Sequence, residues 1–188
     1  MGREIEIKLP VPDTAPTLRR LLALQAREIE QVLETNLFFD RPDASLRAGH
    51  GALRVRLFDR GGKRDSAGLL TYKTGARGGA MHNRESYDVT IDPAAECIDL
   101  LNALGYRQTL GFEKRRHSFH LDDCRVELDE LPAGLGRYVE VEGPDEEAVK
   151  KVTEKLGLGA IANQKTTYLA MISETLRACP QPENMLKF

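Results

Sequence analysis

The sequence predicts a mainly β protein of the α+β class, an antiparallel sheet of about eight strands closed into a barrel with helices packed outside. Short runs alternate apolar and polar residues with a period of two, as strands with one buried face do. Helical patterns are few and separate these runs. Closure follows because a sheet of this width otherwise leaves two unpaired edges, which folds remove by joining them.

Residues 4–9 form the first strand, with Ile5, Ile7 and Leu9 on one face and Glu4, Glu6 and Lys8 on the other. Pro10 and Pro12 end it. Asp13 or Thr14 then caps a helix through about residue 31, with Leu18, Leu21, Leu22 and Ile29 on its buried side. Residues 32–40 are extended, 41–51 are rich in turn formers, and 52–58 alternate as a strand. A polar, glycine-bearing loop is expected at 59–68, a strand at 69–73, a second glycine loop at 75–82 and a strand at 84–91. Residues 93–104 suit a helix ended by Gly105. Strands follow at 111–121, 125–131 and 137–142, the first two joined by a tight hairpin at Asp122-Asp123. Helices are expected at 144–156 and 164–178, and the tail from Pro180 is expected to be loose. No repeat, linker or low-complexity tract marks a boundary, so residues 1–179 read as one domain and 180–188 as its tail.

At 188 residues, the chain is long enough for one domain with a substantial core. Its 41% hydrophobic and 30% charged residues fit a soluble globular protein and are too apolar for disorder. The net charge of −2 argues against a broad nucleic-acid surface, while leaving room for segregated clusters of both signs. No apolar run approaches the roughly 20 residues of a membrane span, and Met1 leads straight into a strand, so a cytoplasmic location is expected. Cys97, Cys124 and Cys179 show no Cys-x-x-Cys spacing, which points away from a disulfide framework or a zinc site.

Sorted by face, the charges fall together. Arg54 shares a face with Arg56, Thr71 with Lys73, and Arg84 with Ser86 and Asp88. Lys114 goes with Arg116, Glu127 with Asp129, and Glu140 with Glu142. The opposite faces hold apolar residues such as Leu53, Val55 and Leu57, or Val139 and Val141. A sheet with one wet face also alternates, but a solubility surface intermixes signs, whereas here whole strands are basic and others acidic. In a closed barrel these faces line the lumen, where unneutralised charge is costly. A polyphosphate with Mg²⁺ or Mn²⁺ answers both signs, because Arg and Lys bind phosphoryl oxygens and carboxylates hold the divalent ion.

Glu4-Ile5-Glu6-Ile7-Lys8 resembles the Glu-x-Glu-x-Lys signature of the CYTH superfamily, also called triphosphate tunnel metalloenzymes. The resemblance runs from residue 4 to about residue 169, through Leu53-Arg54-Val55-Arg56, Thr71-Tyr72-Lys73, Arg84 and Glu113-Lys114-Arg115-Arg116. It continues through Val126-Glu127-Leu128-Asp129, Val139-Glu140-Val141-Glu142-Gly143 and Thr167-Tyr168-Leu169. It implies an eight-stranded antiparallel tunnel that acts on triphosphates with a divalent metal, Mg²⁺ or Mn²⁺. Glu4, Glu6 and Lys8 would be the catalytic group, and Glu4, Glu6, Glu140 and Glu142 would hold metal or position water. Lys8, Arg54, Arg56, Lys73, Arg84, Lys114 and Arg116 would grip the triphosphate. Glu127 and Asp129 would complete the acidic side, as metal ligands or through hydrogen bonds to the basic residues. Members often carry Arg-x-Glu-Tyr-Glu on the middle strand. Here the run is Arg84-Glu85-Ser86-Tyr87-Asp88, so Ser86 replaces an inward carboxylate and Asp88 shortens another, which bears on the subfamily.

The activity expected first is hydrolysis of inorganic triphosphate or a small organic triphosphate. Class IV adenylyl cyclase activity, converting ATP to cyclic AMP and pyrophosphate, is the alternative, and Asp129-Glu130-Leu131-Pro132 also suits it. A polyphosphate- or nucleotide-binding module without turnover ranks third, since anion binding alone does not need the paired glutamates. The expected partner is a small-molecule triphosphate, with a homodimer as a further expectation and neither membrane nor nucleic acid. His117 and His120 are expected at a barrel end or the surface, and the cysteines as packed residues. Gly75, Gly78 and Gly79 follow no strand–helix pattern, so they read as a flap at the tunnel mouth and not as a phosphate loop.

Overall fold

The alternating runs fold as strands, and the computed structural model describes residues 2–3, 5–74 and 85–188. The expectations for Glu4, Arg84 and the loop at 75–82 lie outside the described residues. In chain order the strands are β1 (Gly2–Arg3), β2 (Ile5–Val11), β3 (Arg27–Asp40), β4 (Ala52–Arg60) and β5 (Lys63–Lys73). They continue as β6 (Glu85–Ile91), β7 (Arg107–Leu121), β8 (Cys124–Leu131), β9 (Gly136–Gly143) and β10 (Met185–Leu186). The helices are α1 (Ala15–Ala23), α2 (Ser45–Ala48), α3 (Ala94–Ala103), α4 (Glu146–Lys155) and α5 (Tyr168–Ala178).

One sheet runs in the order β1-β6-β5-β4-β3-β7-β8-β9-β2, with β10 off this path beside β7. Every pairing on the path is antiparallel, and among the described residues only β10 runs parallel to its neighbour. The eight longer strands match the number expected, and the two-residue ladders β1 and β10 add to them. Among the described residues, hydrogen bonds do not join the two end strands of the path, so the sheet is antiparallel as expected but is not closed by hydrogen bonds into the expected barrel. Those ends, β1 and β2, are separated in sequence by position 4 alone.

Three apolar clusters hold the layers together. Ile7, Leu9, Val126, Val139 and Val141 pack with Leu21 of α1 and with Val149 and Val152 of α4. Phe39 and Val55 pack with Leu101 of α3. Both clusters use the face opposite the charges, as expected. The third does not. Phe38, Leu110, Phe112, Leu131 and Tyr138 share parity with the charged residues, and they pack against Ile172 and Leu176 of α5 and Leu186 of β10. The expectation that all helices pack outside is therefore corrected: α5 covers one end of the charged face, where the strands turn apolar.

Other elements differ from expectation for local reasons. α1 ends at Ala23, and Gln25 turns the chain at φ 55°, so residues 27–31 pair with β7 and are strand, not helix. Leu22 and Ile29, expected inside, are exposed. Residues 59–68 form a hairpin and not a loop. Gly61 and Gly62 have φ of +61° and +82°, as a two-residue turn with the sheet's own twist requires. α5 starts at Tyr168, capped by the Thr167 hydroxyl, which accepts from the Ala170 N–H. The stretch expected to be a loose tail includes β10, whose Met185 and Leu186 are buried. No helix among the described residues is long and apolar enough to cross a membrane.

Candidate functional site

Directly opposed residues of antiparallel strands share a face, and the register gathers the charges into rows. Glu6 faces Glu142, which faces Arg125, and Lys8 faces Glu140, which faces Glu127. Asp129 faces Arg116, Glu34 faces Lys114, and Asn36 faces Arg56. Arg54 faces Thr71, which faces Asp88. These rows surround a cavity of about 350 Å³. Lys8, Arg54, Arg56, Lys73, Lys114, Arg116 and Arg125 supply its cations, and Glu6, Asp88, Glu127, Glu140 and Glu142 its carboxylates. Thus the predicted residues among those described come together around one space, except Asp129, which lies behind Arg116.

Asp129 is fully buried and accepts from Arg116 Nε (2.7 Å) and Nη2 (2.6 Å), Lys114 Nζ (3.2 Å) and the Tyr168 hydroxyl (3.0 Å). Burial opposes its charge, but Arg116 and Lys114 outweigh that and hold its pKa at about 2. Glu127 is held by Arg116 and by Arg125 Nε (2.8 Å). Glu140 accepts from Arg116 Nη2 at 2.6 Å, yet burial and the negative charges of Asp129 and Glu6 push its pKa up to about 8.

On the basic side, burial and the repulsion of Arg56 pull Arg54 down to about 9. Asp88 accepts from the Thr71 (2.6 Å) and Ser86 (3.0 Å) hydroxyls. Burial works against its charge, but these bonds and nearby Lys73 keep it below the ordinary range. Ser86 thus serves Asp88 as a donor where a carboxylate would have repelled it. Lys8 is tied at three points: its N–H donates to Asn163 Oδ1 (3.0 Å), its carbonyl accepts from the Gln164 N–H (2.7 Å), and its ammonium donates to the Thr166 carbonyl. The same ammonium lies 4.3 Å from the centre of the Tyr168 ring, and burial lowers its pKa against the pull of Glu140 and Glu6.

Sequence reasoning assigned no role to Glu34, Asn36, Arg125 or Tyr168. Glu34 is 2% exposed, with Lys114 at 3.3 Å, Arg56 at 3.6 Å and Arg116 at 3.9 Å. Its burial disfavours charge, but these cations hold its carboxyl well below the usual range. The alternation of residues 32–38 held a signal, since Glu34 and Asn36 share parity in a run whose other face is Leu33, Thr35 and Leu37.

Carboxylate oxygens of Glu127, Asp129 and Glu140 lie within 4.8 Å of one another, an oxygen-only set that suits a hard divalent cation. Four donors already meet Asp129, two from Arg116, one from Lys114 and one from Tyr168. Glu6 and Glu142 face each other two residues along from the Lys8–Glu140 pair.

An antiparallel sheet with opposed rows of cations and carboxylates around an inner cavity defines a β protein with an interior charged site. The chain belongs to the CYTH family, whose domain matches residues 2–169. It is 26% identical over 183 residues to Adenylate cyclase CyaB of Aeromonas hydrophila, covering 92% of this chain and 90% of that protein. Its fold is similar to that of the PH1819 protein of Pyrococcus horikoshii, with a TM-score of 0.76 at 22% identity, covering 92% of this chain and 99% of that one. It is also similar to HpAC1 from Hippeastrum, an adenylyl cyclase candidate with a dominant triphosphatase activity. There the TM-score is 0.69 at 21% identity, with 92% of this chain and 96% of that one covered.

Proposed function

We propose that the protein is a divalent-metal-dependent triphosphatase that hydrolyses inorganic triphosphate or a small organic triphosphate inside a tunnel formed by the sheet. The observation that carries this reading is the cavity itself, lined by seven cations and five carboxylates. Lys8, Arg54, Arg56, Lys73, Lys114 and Arg116, with Arg84, spread the charge of the triphosphate over many donors and orient its chain. Asp129 and Glu34 hold Arg116 and Lys114 in place from behind. Glu6, Glu140 and Glu142, with Glu4, would hold Mg²⁺ or Mn²⁺, which supplies neutralisation of charge developing on the phosphoryl oxygens. A carboxylate of this group orients water in line with the terminal phosphorus.

A second reading is a class IV adenylyl cyclase, favoured by the 26% identity to a relative that bears that name. The same cradle serves it, with the ribose 3′-oxygen of ATP attacking the α-phosphorus. Incubating purified protein with tripolyphosphate, thiamine triphosphate and ATP, each with Mg²⁺ or Mn²⁺, separates the two readings. Phosphate release from a triphosphate is expected, and cyclic AMP with pyrophosphate from ATP would overturn the ranking. Glu6→Gln is expected to lower kcat by about 100-fold with the circular dichroism spectrum unchanged. Wild-type turnover in that variant sinks the metal assignment.

A further inference from the structure

Asn36 lies at the middle of β3, between Phe112 of β7 and Arg56 of β4, both of which line the cavity. It is 0% exposed, and neither its Oδ1 nor its Nδ2 has a hydrogen-bond partner among the described residues. Exchanging the amide oxygen and nitrogen does not help, because both positions are bare. Opposite it, Arg56 Nε is also buried without a partner among the described residues, and the Arg56 fork makes a loose 3.6 Å contact with Glu34. Buried polar groups are almost always satisfied, and each one left bare costs free energy unless something meets it. Two N–H donors left bare at adjacent positions on the charged face match what an anionic oxygen accepts; Arg56 lines the cavity while Asn36 is closed off beside it, so both meet a ligand once the Arg56 side chain turns.

We propose that Asn36 is a substrate-binding residue, whose Nδ2–H joins Arg56 Nε–H on one phosphoryl oxygen of the bound triphosphate. This rests on the reading of the cavity as a triphosphate site and adds to it a neutral donor. The amide contributes direction without charge, so it ranks phosphoryl positions in a site where the surrounding cations attract them all. Asn36 Oδ1 remains to accept from Arg56 when the guanidinium turns from Glu34 to the ligand.

The test compares wild type, Asn36→Leu and Asn36→Asp by calorimetric titration with tripolyphosphate and by steady-state kinetics with Mg²⁺. Asn36→Leu, close in size and without polar atoms, is expected to keep or raise the melting temperature and to weaken tripolyphosphate binding about tenfold or more. The loss is expected in KM, with kcat near wild type, as for contacts made equally in ground and transition states. Asn36→Asp keeps the acceptor toward Arg56 but loses the donor and repels phosphate, so it is expected to bind more weakly still. Wild-type affinity in either variant overturns the proposal, as does a drop in melting temperature with affinity intact in Asn36→Leu, which marks a structural amide satisfied by a buried water. Wild-type protein that binds tripolyphosphate without turnover overturns the enzyme reading and leaves the titration decisive for Asn36. Wild-type protein that binds none overturns both.

Discussion

Glu34 shows how a single buried acid can organise a basic wall. Lys114, Arg56 and Arg116 approach it at 3.3, 3.6 and 3.9 Å, and it faces almost no water. Breaking such a network from one side leaves the other charges uncompensated, so Glu34→Gln is expected to cost roughly 3 kcal/mol in urea unfolding at neutral pH. The pH dependence has a definite sign. The folded carboxyl sits well below its ordinary range, so its contribution is complete above that range and fades as pH falls toward the folded value. The stability gap between wild type and Glu34→Gln should therefore narrow in acid, and a gap that stays constant contradicts the network. Little of this was legible in the sequence. Glu34 has the right parity, but its partners are 22, 80 and 82 positions away along the chain, on β4 and β7, and only register brings them together.

Elements were legible where the pattern was local. The hairpin at Asp122-Asp123 and the strands carrying Arg54, Glu127 and Glu140 fall where alternation puts them. Alternation misled where polar residues filled a strand, as in Lys63-Arg64-Asp65-Ser66, and helical periodicity overran α1 because Ile29 happened to continue it. The side of the sheet that α5 occupies was not legible, since an apolar helix stripe fits either face. Ile172 is fully buried against the inner apolar end, so Ile172→Ala is expected to cost about 3 kcal/mol in chemical denaturation. Leu104→Asp, at a position 63% exposed beyond α3, should stay within about 0.5 kcal/mol. Equal effects from both substitutions refute the inner placement of α5.

At the scale of the whole molecule, parity told which residues share a face, and the shared cavity follows once the strands are in register. What parity left out is how the opposed charges divide. Asp129 is spent on Arg116 and Lys114, whereas Glu140 is left crowded by like charge. A cation and an anion bound together relieve both sides, so thermal unfolding should respond to the pair. Tripolyphosphate with Mg²⁺ at about 100 times its dissociation constant should add about 2.7 kcal/mol of stability. Chelation by EDTA should abolish turnover, with recovery on adding Mg²⁺ or Mn²⁺. Full activity after exhaustive chelation is the outcome that removes the metal from the account.

The seat of α5 has a consequence for how the molecule comes into being. α5 and β10 follow β2 to β9 in the chain, yet they cover Phe38, Leu110 and Phe112 on the inner face. Domains emerge from synthesis N-terminal part first. The sheet can thus be complete in sequence while its apolar end still lies bare, a surface of the kind that chaperones hold and neighbouring nascent chains stick to. Only when the later helix arrives does the interior become a private space.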